Sequence, residues 1–392
     1  MAAQQENNQK KSVVVFRAIG LLLLFGVLVF AVARVIIGSS LNVENQQVLS
    51  VDTQGDVLYA VSPESVADVC AYENGIAVLT DSEMLYFDAA GSITRSDRHS
   101  YGNPCMAAFD RSVLVYDRGN RNYRMEINAA VFDEYTTDAD LLTAAVGKNG
   151  NYAVATLADG GYQSKLYVYA QDGTLLFEWG SAKHFITGIA LSDDGKHYAV
   201  SLAGSENAVY NSSIQAFEKG KTQPVFTWQQ NDLTVLKLDY MKNDTLCFVT
   251  DAFVAFVEDG EQDVKLEYNP TALLSVDLIH GERVAVLLSS GYVDEENHRI
   301  YMWNDDGHEM LNSSPVSPQA MSLSLSAKHF AVCDAKNITV YDRKGAFSGE
   351  AKTGYTIEVL QVVGNQVFCL HENGFTAFSV HARLAKEPEI TK

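Results

Sequence analysis

One unit recurs along this chain, and its period restricts the fold more than any other feature. The unit is an apolar strand, a tight polar turn, a second apolar strand and a third strand rich in Tyr and Phe. The first turns are Glu73-Asn74-Gly75, Asp110-Arg111-Ser112, Lys148-Asn149-Gly150, Asp193-Asp194-Gly195, Lys242-Asn243-Asp244, His280-Gly281-Glu282, Ala327-Lys328-His329 and Val363-Gly364-Asn365. Eight copies at intervals of 36 to 49 residues, about 41 on average, give the period of a four-stranded propeller blade. The second strands (GIAVLT, SVLVYD, YAVATL, HYAVSL, TLCFVT, RVAVLL, HFAVCD, QVFCLH) have uniform β chemistry, and no helix-period stretch follows residue 40. A closed all-β ring gives so many short strands a buried face and leaves no long open edge.

The last copy stops after its third strand, near Val380. Asp56 to Ser62, which has strand chemistry and precedes the first full copy, is expected to complete the final blade. This reading gives an eight-bladed β-propeller over residues 56–381, or a seven-bladed one if Val48 to Ser62 pairs elsewhere. Residues 382–392 (ARLAKEPEITK) have little to bury and are expected to form a loose tail.

Ahead of the ring, residues 13–37 carry only Arg17 and Arg34 as charges, and Ala18 to Ala33 has no polar side chain. A helix of this length covers about 37 Å, enough for a hydrocarbon core of about 30 Å, so one transmembrane signal-anchor helix in the lipid bilayer is expected. Lys10, Lys11 and Arg17 flank its amino side, and no Lys or Arg lies between Arg34 and Arg95. That asymmetry places residues 1–12 in the cytoplasm, with 38–55 as a linker and the propeller outside. Ala31-Val32-Ala33 also has the small-x-small form of a signal-peptidase site, so a cleaved leader is the rival reading. Both readings take the ring out of the cytoplasm.

The 392 residues hold 29 Lys and Arg against 49 Asp and Glu, a net charge of −20. Such a surface excludes nucleic acid as a partner, because phosphate binding needs basic groups that release counterions. The five cysteines are scattered without C-x-x-C or metal spacing. Zinc, P-loop, nucleophile-elbow, dinucleotide and EF-hand motifs are absent as well. No cofactor, metal or catalytic residue is therefore expected, and the chain does not read as an enzyme.

Two features point to binding. The long intervals owe their length to the connections between second and third strands: Ala158 to Lys165, Ala203 to Ser213 and Ser289 to Arg299. Each carries a tyrosine, namely Tyr162, Tyr210 and Tyr292. In a propeller these connections share one face, and insertions gathered there mark a working surface. Six of the twelve arginines also fall between residues 95 and 124 (Arg95, Arg98, Arg111, Arg118, Arg121, Arg124). Arg118 and Arg121 flank a turn on the same face, and with Arg124 they could grip a carboxylate or phosphate. The plainer reading pairs them with acidic neighbours such as Asp97, Asp110 and Asp117.

Tyr169 to Trp179 (YAQDGTLLFEW) resembles the strand-turn-strand of WD40-like and quinoprotein-type blades, although the chain has no Trp-Asp pair and only three tryptophans. With its short basic end, single span and Tyr116-Asp117-Arg118-Gly119 segment, the whole is similar to an uncharacterised family of membrane-anchored extracytoplasmic propellers of Gram-positive bacteria. The resemblance implies a noncatalytic scaffold in the cell envelope that holds a partner protein. The alternative is binding or cleavage of an envelope glycan or other anionic polymer.

Overall fold

The structure, a computed structural model, describes residues 47–51, 57–290, 297–307, 310–312 and 316–384. Contacts divide the chain into one unit of 49–381 and a second of 1–48 with 382–392. The first unit holds an all-β propeller of eight blades. Blades 1 to 7 span 66–98, 104–136, 141–181, 185–231, 235–267, 273–312 and 322–352, each a four-stranded antiparallel sheet in sequence order. Blade 8 has Ile357–Val363, Gln366–His371 and Gly374–Leu384, joined at its outer edge by Gln47–Val51 and Val57–Tyr59. Val57 is paired with Thr376 and Tyr59 with Phe375. The stretch read as a linker therefore contains a strand, and the last strand runs three residues into the stretch read as a tail.

First strands form the inner wall. Each packs on the first strand of the next blade, and Ile357–Val363 packs on Val66–Tyr72 to close the ring. Second strands are buried along their length, as in Gly75–Thr80, Ser112–Asp117 and Arg283–Leu288. Neighbouring blades cover both of their faces, which is why they read as continuous apolar runs rather than as alternation. Fourth strands such as Ala130–Thr136 form the exposed rim. The core is correspondingly divided into eight apolar clusters, one per blade interface. Leu58, Tyr59 and Val61 pack on the cluster between blades 8 and 1. All five cysteines are free, and four are buried.

Two local devices repeat. Seven of the eight first turns contain a left-handed residue (Glu73, Asp110, Asn149, Gly195, Asn243, Gly281 or Gly364) with φ between 49° and 69°, which accounts for their Asn, Asp and Gly content. Six first strands also slip by one residue against the second strand, at Ala67, Leu142, Thr187, Leu236, Leu274 and Glu358. Such a bulge turns an extra side chain off the packed layer, and all six except the half-buried Leu142 are exposed. Leu236 and Leu274 thereby reach solvent from strands whose other apolar residues are packed.

No helix among the described residues is long and apolar enough to cross a membrane. Residues 13–37 lie outside the described residues.

Candidate functional site

Because strands alternate in direction, all connections from second to third strand leave one face, together with those linking one blade to the next. Among the described residues, the β-hairpin of blade 4 has the longest run of paired positions. His197–Glu206 and Val209–Glu218 pair without a break from His197↔Glu218 to Glu206↔Val209. The stretch Ala203 to Ser213 is thus paired strand, not loop. Its tip, Asn207-Ala208, has φ of 52° and 64°, the double left-handed geometry of a two-residue hairpin turn.

Three neighbouring segments are tied together at the base of this hairpin. Ser164 Oγ donates to His184 O at 2.9 Å, Lys183 Nζ lies 2.8 Å from Glu206 Oε1, and the His184 ring packs against Gly204 so closely that a Cβ there would clash. Tyr162 lies on Gly180 in the same way, and Lys165 sits 5.9 Å from its ring centre. On this platform Leu157, Tyr162, Phe185, Val209 and Tyr210 stand 37–45% exposed. On the same face, blades 5 to 7 add Leu236, Leu274 and Met321. The other large exposed apolar residues lie mostly on outer strands, such as Ile93, Leu175, Val264 and Phe347, about one per blade, and scattered singles of this kind need no partner.

The structure separates the residues singled out from sequence. Tyr162 and Tyr210 both lie on the platform, and the Tyr210 hydroxyl accepts from Ser212 Oγ at 3.2 Å. Tyr292 lies outside the described residues. Arg118 is exposed, with its Nη2 2.8 Å from Cys105 Sγ. Arg121 pairs with Asp140 at 3.3 Å. Arg124 is a correction: it is 4% exposed, with its guanidinium 2.6 Å from Glu126 Oε1. Glu126 is fully buried and accepts from the Tyr86 hydroxyl at 2.7 Å, so this trio staples blade 1 to blade 2. Arg124 does border a cleft of about 740 Å³ between those blades, but its charge is already answered. Arg95, Arg98 and Arg111 pair with Asp97, Glu83 and Glu73. Five of the six clustered arginines are therefore ion-paired. No hydrogen bond, ion pair or ring contact joins any two of Arg118, Arg121, Tyr162 and Tyr210.

Leu157, Phe185, Val209, Leu236 and Leu274 were not singled out from sequence. An exposed apolar residue beside a strand end looks like any other strand residue, and a bulge leaves no periodic trace.

Among the described residues, Asp194, His197 and Asp244 could bring ligand atoms within 4.8 Å of one another around a metal ion. They lie at the first turns of blades 4 and 5, on the opposite face. His197 Nδ1 is 3.7 Å from Asp194 and 3.5 Å from Asp244. Asp194 is held down at about 2 because Lys196, Ser192 and the Lys196 amide outweigh its partial burial. With Lys196 Nζ already 2.9 Å from that carboxylate, the set reads as an ion-pair link between blades.

The molecule is thus an eight-bladed propeller with a group of exposed apolar side chains on one face. Residues 51–376 match a family of unknown function, DUF5711, and the chain belongs to that family. Among solved structures it is similar to the C-terminal WD40 domain of Sif2 (11% identity, TM-score 0.58, covering 84% of this chain and 99% of that one). It is also similar to Sqt1 of Chaetomium thermophilum, solved bound to the N-terminus of ribosomal protein L10 (10%, 0.54, 84% and 100%). BamB of Moraxella catarrhalis matches at 13% identity and a TM-score of 0.50, covering 83% and 100%. At these identities the likeness shows the fold alone. No curated protein matches the chain.

Proposed function

We propose that this protein is a noncatalytic scaffold that holds a partner protein on the platform of blades 3 and 4, outside the cytoplasmic membrane to which residues 13–37 anchor it. The observation that carries this reading is the gathering of Leu157, Tyr162, Phe185, Val209 and Tyr210 on segments fixed to one another. Rigid aromatic and aliphatic anchors on a preformed surface suit protein association. An anionic polymer fits this face less well, since Arg121 and Arg124 are ion-paired and Arg118 is engaged with Cys105.

The test is to crosslink full-length protein in its native membrane and compare it with a Val209→Asp, Tyr210→Asp variant. One dominant copurifying protein, lost in the variant while its melting temperature stays unchanged, supports the scaffold. An identical set of copurifying proteins from both would remove the platform from consideration. Carbonate extraction tests the anchor: a full-length protein released as soluble chain is not held by a spanning helix.

A further inference from the structure

Arg283 opens the second strand of blade 6 and is 4% exposed, yet among the described residues it forms no ion pair with a carboxylate. Its Nη2 donates to Ala327 O at 3.1 Å, and Nη1 lies 3.9 Å from Met302 Sδ. Withdrawing a guanidinium from water costs several kcal/mol unless an anion meets it. In a chain of net charge −20 an anion would be easy to supply.

Arg283 borders a pocket of about 300 Å³ on the face opposite the platform. Its other walls are Glu282, Met302, Trp303 and Asn304 of blade 6, with Arg343 and Lys344 from a hairpin turn of blade 7. Arg343 and Lys344 are exposed, and among the described residues neither they nor Arg283 form an ion pair. Asp342, in the same turn, uses Oδ1 to accept from the amides of Lys344 and Ala346. Three cations thus face one carboxylate, Glu282, around a floor that includes the buried Met302 and Trp303. Burial, and after it the charge of Arg343, lower the Arg283 proton affinity, as expected of a cation that lacks its counterion.

We propose that this pocket binds a dianion carried on a small apolar body, a phosphate monoester with an aryl or short alkyl group. The phosphoryl oxygens would lie among Arg283, Arg343 and Lys344. Guanidinium forks match phosphoryl oxygens in geometry and charge, and two net positive charges balance one such group.

The probe is phenyl phosphate, titrated calorimetrically into full-length protein and into an Arg343→Ala, Lys344→Ala variant, both of whose changes are on exposed side chains. Saturable binding that weakens at least tenfold in the variant, and that is tighter than binding of inorganic phosphate, supports the site. No binding, or equal binding by the variant, overturns it. Inorganic phosphate binding as tightly as phenyl phosphate overturns the apolar part. Arg283→Met gives a second reading without ligand: removing an unanswered buried charge should raise the melting temperature and abolish any rise caused by phenyl phosphate. A variant that melts lower than the parent would show that Arg283 serves the fold instead.

Discussion

His280 lies at the end of the first strand of blade 6, with Nδ1 2.8 Å from Asp239 of blade 5 and Nε2 3.0 Å from Asp193 of blade 4. Lys148 of blade 3 holds the other oxygen of Asp193 at 2.9 Å, and Phe109 of blade 2 packs edge-on to the imidazole at 4.7 Å. Five blades thus meet around one ring. Burial opposes the charge on His280, but the two aspartates outweigh it and raise its pKa to about 9. A group whose folded pKa exceeds its unfolded value of about 6.5 stabilises fully below that lower value, and the contribution fades as pH rises through the upper one. Asp193 shifts the opposite way, held low by Lys148 and His280 against partial burial, so its contribution fades in acid. The melting temperature of His280→Ala should therefore fall furthest below the parent between about pH 5 and 6.5, and the gap should narrow by pH 10. A gap independent of pH would mean that packing on Phe109, not charge, is what His280 supplies.

At the level of elements, the blade 4 hairpin offers a direct check on its turn. Ala208 holds a φ of 64°, which costs an L side chain about 1 kcal/mol and a glycine nothing. Ala208→Gly should stabilise the protein by about 0.5–1 kcal/mol in urea unfolding; a loss of stability would contradict the double left-handed turn. This hairpin also shows where sequence reading stops. The eight second strands are legible because both their faces are covered, and all eight coincide with strands of the structure, five of them residue for residue: Gly75–Thr80, Ser112–Asp117, Tyr152–Leu157, Arg283–Leu288 and Gln366–His371. Beyond the packed layer, Ala203 to Glu206 and Val209 with Tyr210 have no such pattern to keep, so a paired ribbon reads as loop. The arginine run is legible as a cluster but not in its role, because the ion-pair partners Glu83, Glu73 and Asp140 are brought close only by strand pairing and blade packing.

For the whole molecule, closure rests on strands from opposite ends of the chain. Val57–Tyr59 pairs with Gly374–Leu384, and Leu58, Tyr59 and Val61 fill the interface between blades 8 and 1. Full-length chain lacking residues 45–62 should melt lower than the intact protein, since blade 8 would lose its outer edge and the ring its latch. Equal melting temperatures would mean that the blade interfaces alone hold the ring. The two faces then differ in chemistry: one gathers apolar anchors, and the other has ion-pair links and the cationic pocket at Arg283. The central claim is that the first face is the one occupied by protein. It is tested most directly by placing a photocrosslinking residue singly at Tyr162, Val209, Leu236 and Leu274, and at the outer-strand positions Leu175, Val264 and Phe347, in full-length protein in its native membrane. Discrete protein adducts at the first group and none at the second are the predicted result. Equal adducts at both groups, or adducts only on the outer strands, would contradict it.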